Sequence, residues 1–202
     1  MSALFLPFTD RGRATELQAV RVKAHLGLGP YDSTDPFQAL PAVPARLVPC
    51  TALPLVIRRV LLDTDRCAWS AVGLGPSPVT AEELILLNPL HHANRRRASL
   101  MEEIVHIVLG HPRVRLRSAD GKRWSRSYDP QVEDEAFNVG AACIIPYRWL
   151  FNCLQSGHYD AADISKSVRS SVDYVEYRIK RAGLYPLYRK RSGILGSGLS
   201  RS

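Results

Sequence analysis

The chain has 202 residues, of which 46% are apolar and 23% charged, with 27 Lys and Arg against 19 Asp and Glu. This composition excludes disordered, collagen-like and fibrous classes. A chain of this length buries roughly 70% of the surface it exposes when unfolded, enough for one domain, with a small appendage, to hold a core and a site without disulfide staples. The longest charge-free stretch, Cys67 to Ala81, has 15 residues, and Leu47 to Ile57 and Ala136 to Tyr147 have 11 and 12, all short of the roughly 20 that span a bilayer. The N-terminus places its apolar residues before any positive charge and lacks a small-residue cleavage site, so it does not read as a signal peptide. No membrane partner and a cytoplasmic location are the expectations. Cys50, Cys67, Cys143 and Cys153 form no CxxC pair and read as buried thiols. Residues 166–202 hold nine Lys and Arg against Asp173 and Glu176 and carry seven of the eight net positive charges. The basic character therefore belongs to the C-terminal end.

In chain order, Asp10 is placed to cap a first helix to about Leu26, with Ala14, Leu17, Val20 and Ala24 as its packing face and Gly27 and Gly29 ending it. From Gly29 through Pro54 the chain has six prolines, which predict extended and turn conformations. Three β-like runs follow, Leu55 to Leu62, Cys67 to Leu74 and Leu84 to Asn88, and predict a small sheet. Next come a helix from about Asn94 to Leu109 and a basic loop from Pro112 to Tyr128. A helix then opens on Asp129 as N-cap with Pro130 at its first position and stops at Pro146. Another runs to about Gln155, before Gly157. Two shorter helices, Asp160 to Lys166 and Ser171 to Ala182, end at Gly183. The closing residues are Gly- and Ser-rich and read as a disordered tail. The division expected is 1–155 as the main domain, 156–188 as a helical extension and 189–202 as the tail.

The chemistry concentrates in Leu100 to His111. On a helix, Leu100, Ile104, Ile107 and Val108 form an apolar stripe, while Glu102 and His106 lie one turn apart with Glu103 between them in angle. This is HExxH with its first histidine replaced by glutamate. In HExxH, ligands at i and i+4 grip zinc and the intervening Glu acts on water at the metal. A third ligand must come from a second helix, and Glu133 and Glu135 both open the one that begins at Asp129. Ala136, Gly140 and Ala141, at i+3, i+7 and i+8 from Glu133, make a bare face that would allow close helix approach. Plainer readings exist for each residue. Ser99 to Glu102 fits a capping box, Glu103 and His106 fit a surface pair, and Glu133 and Glu135 complement a helix dipole. His91, His92, His111 and His158 read as structural or surface, with one of them suited to support a ligand from behind.

These residues resemble the ImmA/IrrE family of metallopeptidases, whose members pair an HExxH helix with a downstream helix of the form ExxA(N/D)xFAxxLLxP. Residues 133–146, EDEAFNVGAACIIP, keep the first Glu, the Ala three residues later, the small pair and the final Pro. Phe137 stands where Asn or Asp is usual, and Val139 where Phe is. Asn88, Arg95 to Arg97 and Ser99 also resemble the family's approach to its metal helix, and the likeness is clear from Trp69 to Leu150. The resemblance implies an α+β zincin-like metallopeptidase domain with a small β-sheet, two metal-site helices and a helical C-terminal extension. Carried over by position, Glu103 is the general base, His106 a metal ligand and Glu133 the third ligand, with Glu102 in place of the first His. One imidazole and two carboxylates still leave a fourth position open on zinc, the expected divalent metal. The harder set also suits manganese or iron.

The resemblance implies a protein substrate of regulatory kind, such as a helix-turn-helix repressor. The rival reading is a non-catalytic regulator that keeps the fold and binds a repressor or DNA. It draws on residues 160–183, which read as helix, turn, helix, with Ser170 or Ser171 as N-cap, Val172, Val175 and Ile179 buried, and Arg178, Lys180 and Arg181 available to nucleic acid.

Overall fold

A computed structural model describes residues 5–63, 69–112, 116–118, 124–126, 129–157 and 160–190. In chain order the elements are α1 (Asp10–His25), α2 (Pro36–Ala39), β1 (Ala45–Leu47), α3 (Leu55–Asp63), β2 (Ala71–Pro76), β3 (Glu83–Leu87), α4 (Ala93–Leu109), β4 (Leu116–Ser118), β5 (Trp124–Arg126), α5 (Pro130–Ile144), α6 (Tyr147–Ser156), α7 (Ala161–Val168) and α8 (Val172–Arg181). A further helical stretch occupies 185–190. The chain forms two compact units, one of residues 36–137 and one assembled from 1–35 together with 138–202. Among the described residues, no helix is long and apolar enough to cross a membrane. Of the expected tail, residues 189 and 190 belong to that helical stretch, while residues 191–202, like His158 and Cys67, lie outside the described residues.

In the unit of residues 36–137, β3 is the central strand, parallel to β1 and antiparallel to β2. Its Ile85, Leu86 and Leu87 are buried, as expected of a strand with neighbours on both sides. β2 is an edge strand whose register shifts between Gly73 and Gly75. Helix α4 packs on β2 and β3, and its Leu100, Met101, Ile104 and Val105 are each fully buried. Asn88 fastens the approach to that helix. Its side chain donates to the Trp69 carbonyl at 2.8 Å and accepts from the Leu90 N–H at 2.9 Å.

Three expectations need correction in this unit. Leu55 to Leu62 is not a strand but lies within helix α3. Apolar residues at 57, 60 and 61 recur at helical spacing, whereas strand alternation is broken by adjacent Arg58 and Arg59. The short strand β1 comes instead from the proline-rich segment. The expected basic loop contains the antiparallel β4 and β5 pair, with residues 113–115, 119–123 and 127–128 outside the described ones.

In the other unit, α1 buries a face that its apolar spacing does not predict. Glu16, Ala19, Val22 and Lys23 are buried, whereas Leu17 is 38% exposed and Ala14 and Ala24 are exposed. The N-cap is Thr9, not Asp10, and its hydroxyl accepts from the Gly12 N–H at 3.2 Å. A Cβ on Gly12 would lie 2.7 Å from that hydroxyl. Glu16 pairs with Arg178 of α8 and accepts from the Tyr147 N–H at 3.3 Å. Lys23 donates to the Pro30 carbonyl at 3.2 Å. Cys143 and Cys153 are buried thiols, while Cys50 is only half-buried. On α8, Val175 and Ile179 are buried as expected, but Val172 is 40% exposed, and Ser171 is the N-cap.

Candidate metal centre

Helix α4 begins at an N-cap formed by His92, whose ring accepts from the Asn94 N–H. Ser99 is therefore buried within the helix, and Glu102 lies nearly three turns from its start. The capping-box reading of Ser99 and Glu102 fails, because no helix terminus is there to cap. The buried stripe of α4 fixes the rotation of the helix, and the i, i+4 spacing then sets Glu102 and His106 on one face.

Helix α5 opens as the sequence predicts, with the Asp129 carboxylate accepting from the Gln131 N–H at 2.9 Å and Pro130 in first position. One turn on, Glu133 Oε2 is 3.9 Å from His106 Nε2. Glu102, His106 and Glu133 each offer one ligand atom, and all three atoms lie within 4.8 Å of one another. Tetrahedral zinc, with bonds of about 2.1 Å, sets ligand atoms roughly 3.4 Å apart. The triad stands somewhat wider than that, with His106 and Glu133 at 3.9 Å, and its oxygen and nitrogen donor set suits a divalent ion. The His106 and Glu133 side chains are 17% and 21% exposed, sheltered yet reachable.

Glu135, the sequence's other choice, does not join the triad. Its Oε2 lies 3.5 Å from His111 Nε2. His111 in turn lies against His106, with the two Nδ1 atoms 3.0 Å apart. Of the small residues expected to bare one face of α5, Ala136, Gly140 and Ala141 are all buried.

Glu103, His106, His111 and Glu133 line a cavity of about 340 Å³ together with Gly73 and Gly75 of the edge strand. A Cβ on Gly73 would stand 3.4 Å from Glu103 Oε2, so a larger side chain there would take up space beside the carboxylate. The strand residues are what sequence reading misses, although a Gly-x-Gly inside a β-like run is a recognised sign of a bulge or a close approach. The signal for His111 is the Gly-His pair that directly follows the helix.

The family model for the IrrE N-terminal-like domain matches residues 66–180, more than half of the chain, with α4 and α5 inside the match. No curated protein matches the chain at a significant level. The match spans the whole candidate site and continues through almost all of α8, and on it the chain belongs to the ImmA/IrrE metallopeptidase family.

Proposed function

We propose that this chain is a metal-dependent endopeptidase whose substrate is a regulatory protein, such as a helix-turn-helix repressor. The observation that carries the reading is that Glu103 shares one cavity with His106 and Glu133, in a chain of a metallopeptidase family. In this reading Glu102, His106 and Glu133 hold the ion, zinc being expected and manganese or iron suited to the two carboxylates. When bound, a divalent ion supplies Lewis acidity to the scissile carbonyl and to the attacking water. Glu103 does the proton work. It takes a proton as the water oxygen attacks the carbonyl carbon and gives it to the departing amine nitrogen as the C–N bond breaks. Gly73 leaves room beside that carboxylate for the substrate backbone.

The rival regulator reading finds less support in α8. Arg178 is buried against Glu16, and Arg181 Nε donates to Asn138 Oδ1 at 2.7 Å. Of the three cations that would meet nucleic acid, two are thus engaged within the protein, and Lys180 is the exposed one.

The test pairs two substitutions with metal analysis and with cleavage of purified helix-turn-helix repressors. Glu103→Gln should abolish cleavage while retaining about one metal per chain, because a base is lost and no ligand is. Glu102→Ala should release the metal. Equal metal loss in Glu103→Gln would assign that residue to the ligands, and a wild type that holds no metal after growth with zinc, manganese and iron would sink the proposal.

A further inference from the structure

We propose that His111, backed by Glu135, is a positioning residue that holds His106 in the tautomer and orientation a metal ligand requires. The proposal rests on the metal-site reading of Glu102, His106 and Glu133, and it deepens that reading by naming what sets the site.

The placement begins in the backbone. Helix α4 ends at Gly110, whose φ of +67° is left-handed, a conformation that glycine adopts without a Cβ penalty. The Gly110 N–H donates to the Ile107 carbonyl at 3.2 Å, and the His111 N–H donates to the His106 carbonyl at 2.9 Å. These are the two bonds of a Schellman terminator. The reversal returns His111 onto His106, with the rings edge to face at 5.0 Å between centroids. The His111 side chain is 9% exposed, so the contact is sheltered from competing water.

The protons then follow from the distances. Two ring nitrogens 3.0 Å apart must share a proton, because two lone pairs at that separation repel. The Nε2 of His106 faces Glu133, and a neutral imidazole that offers this lone pair to a cation carries its proton on Nδ1. Nδ1 therefore donates to Nδ1 of His111. Having accepted there, His111 carries its own proton on Nε2, the atom that faces Glu135 Oε2 at 3.5 Å. A single assignment thus fits the His106–His111 hydrogen bond and the electrostatic contact of His111 with Glu135, and leaves His106 Nε2 unprotonated on the ligand side. The reverse assignment would set a bare His111 nitrogen against the Glu135 carboxylate, acceptor against acceptor.

Zinc titration of the metal-stripped full chain against a competing chelator tests this, with His111→Leu, His111→Asn and Gly110→Ala beside wild type. The Oδ1 of Asn falls near the place of histidine Nδ1 and can accept from His106, whereas Leu cannot. His111→Leu should weaken zinc binding 10- to 100-fold, His111→Asn should stay within about threefold of wild type, and Gly110→Ala should resemble Leu by displacing the ring. Melting of the metal-free proteins should show His111→Leu and His111→Asn equally folded. In ¹⁵N spectra of the zinc-loaded wild type, His106 should show a protonated Nδ1 whose exchange speeds up in His111→Leu. A His111→Leu variant that binds zinc as wild type does, or a His111→Asn variant as weak as Leu, overturns the inference while leaving the metal site standing. Absence of zinc binding by wild type overturns the metal-site reading and takes this inference with it.

Discussion

At the scale of single residues, Glu102 sets the character of the site. Its i, i+4 relation to His106 is that of a ligand pair, yet it brings a carboxylate where the family pattern has imidazole. The two kinds of ligand differ in softness and in charge. Imidazole suits zinc, while carboxylate is shared more evenly with manganese. Glu102→His removes one negative charge and restores two nitrogens at i and i+4. If residue 102 is a ligand, the preference for zinc over manganese should rise by at least about tenfold, read from parallel titrations of the two ions. An unchanged ratio would show that Glu102 only lies near the ion. This readout does not depend on cleavage, so it judges the ligand assignment even with no substrate protein in hand.

At the scale of elements, sequence reads well where local chemistry decides and poorly where distant partners do. Helices α4 to α8 begin and end close to their expected bounds, because Gly110, Pro130, Gly157 and Gly183 act on their own turns. The pairing of Glu102 with His106 is equally local. The choice of Glu133 over Glu135 is not, since it needs the position of α5 against α4. Helix α1 is the clearest failure. Its buried face holds Glu16 and Lys23, a choice made by partners far along the chain rather than by hydrophobic spacing. That face carries a pH signature. Burial, opposed by the nearby Cys143 and Asp32, pushes the Lys23 ammonium down from 10.5 to about 8. Above pH 8 the unfolded chain therefore holds a proton that the folded chain releases, and stability rises with pH. Cys143, pushed up by burial from 9.0 to about 12, offsets this above pH 9, where the folded chain keeps a proton that the unfolded chain loses. The clean window is pH 8 to 9. There, wild type should gain about 1 kcal/mol relative to Lys23→Met in urea unfolding, and parallel pH profiles for the two proteins would contradict this account.

At the scale of the whole molecule, one compact unit joins the two ends of the chain, and a buried ion pair spans that junction. Glu16 and Arg178 are 162 residues apart in sequence and only 5% and 2% exposed. Burial pushes the Arg178 guanidinium down to about 9, which still leaves it cationic at neutral pH opposite the Glu16 carboxylate. Each charge has further partners, the Tyr147 N–H on Glu16 and the Ile145 carbonyl on Arg178 Nε at 3.0 Å. A pair buried this deeply contributes less net stability than its contacts suggest, because both ions give up their hydration. Removing one partner is another matter, since the remaining charge keeps its desolvation penalty and loses its counterion. Arg178→Met and Glu16→Leu should each cost about 3–5 kcal/mol, whereas the double variant, which leaves no buried charge, should cost less than either alone. Its residual loss is the Tyr147 N–H and the Ile145 carbonyl left without partners, about 1–3 kcal/mol for each group that water does not reach. Urea unfolding of the four proteins at neutral pH reads the coupling directly. Costs that simply add in the double variant would mean that the two charges do not depend on each other, and would leave the junction to its apolar packing and to backbone contacts such as that of the Thr34 N–H with the Cys143 carbonyl.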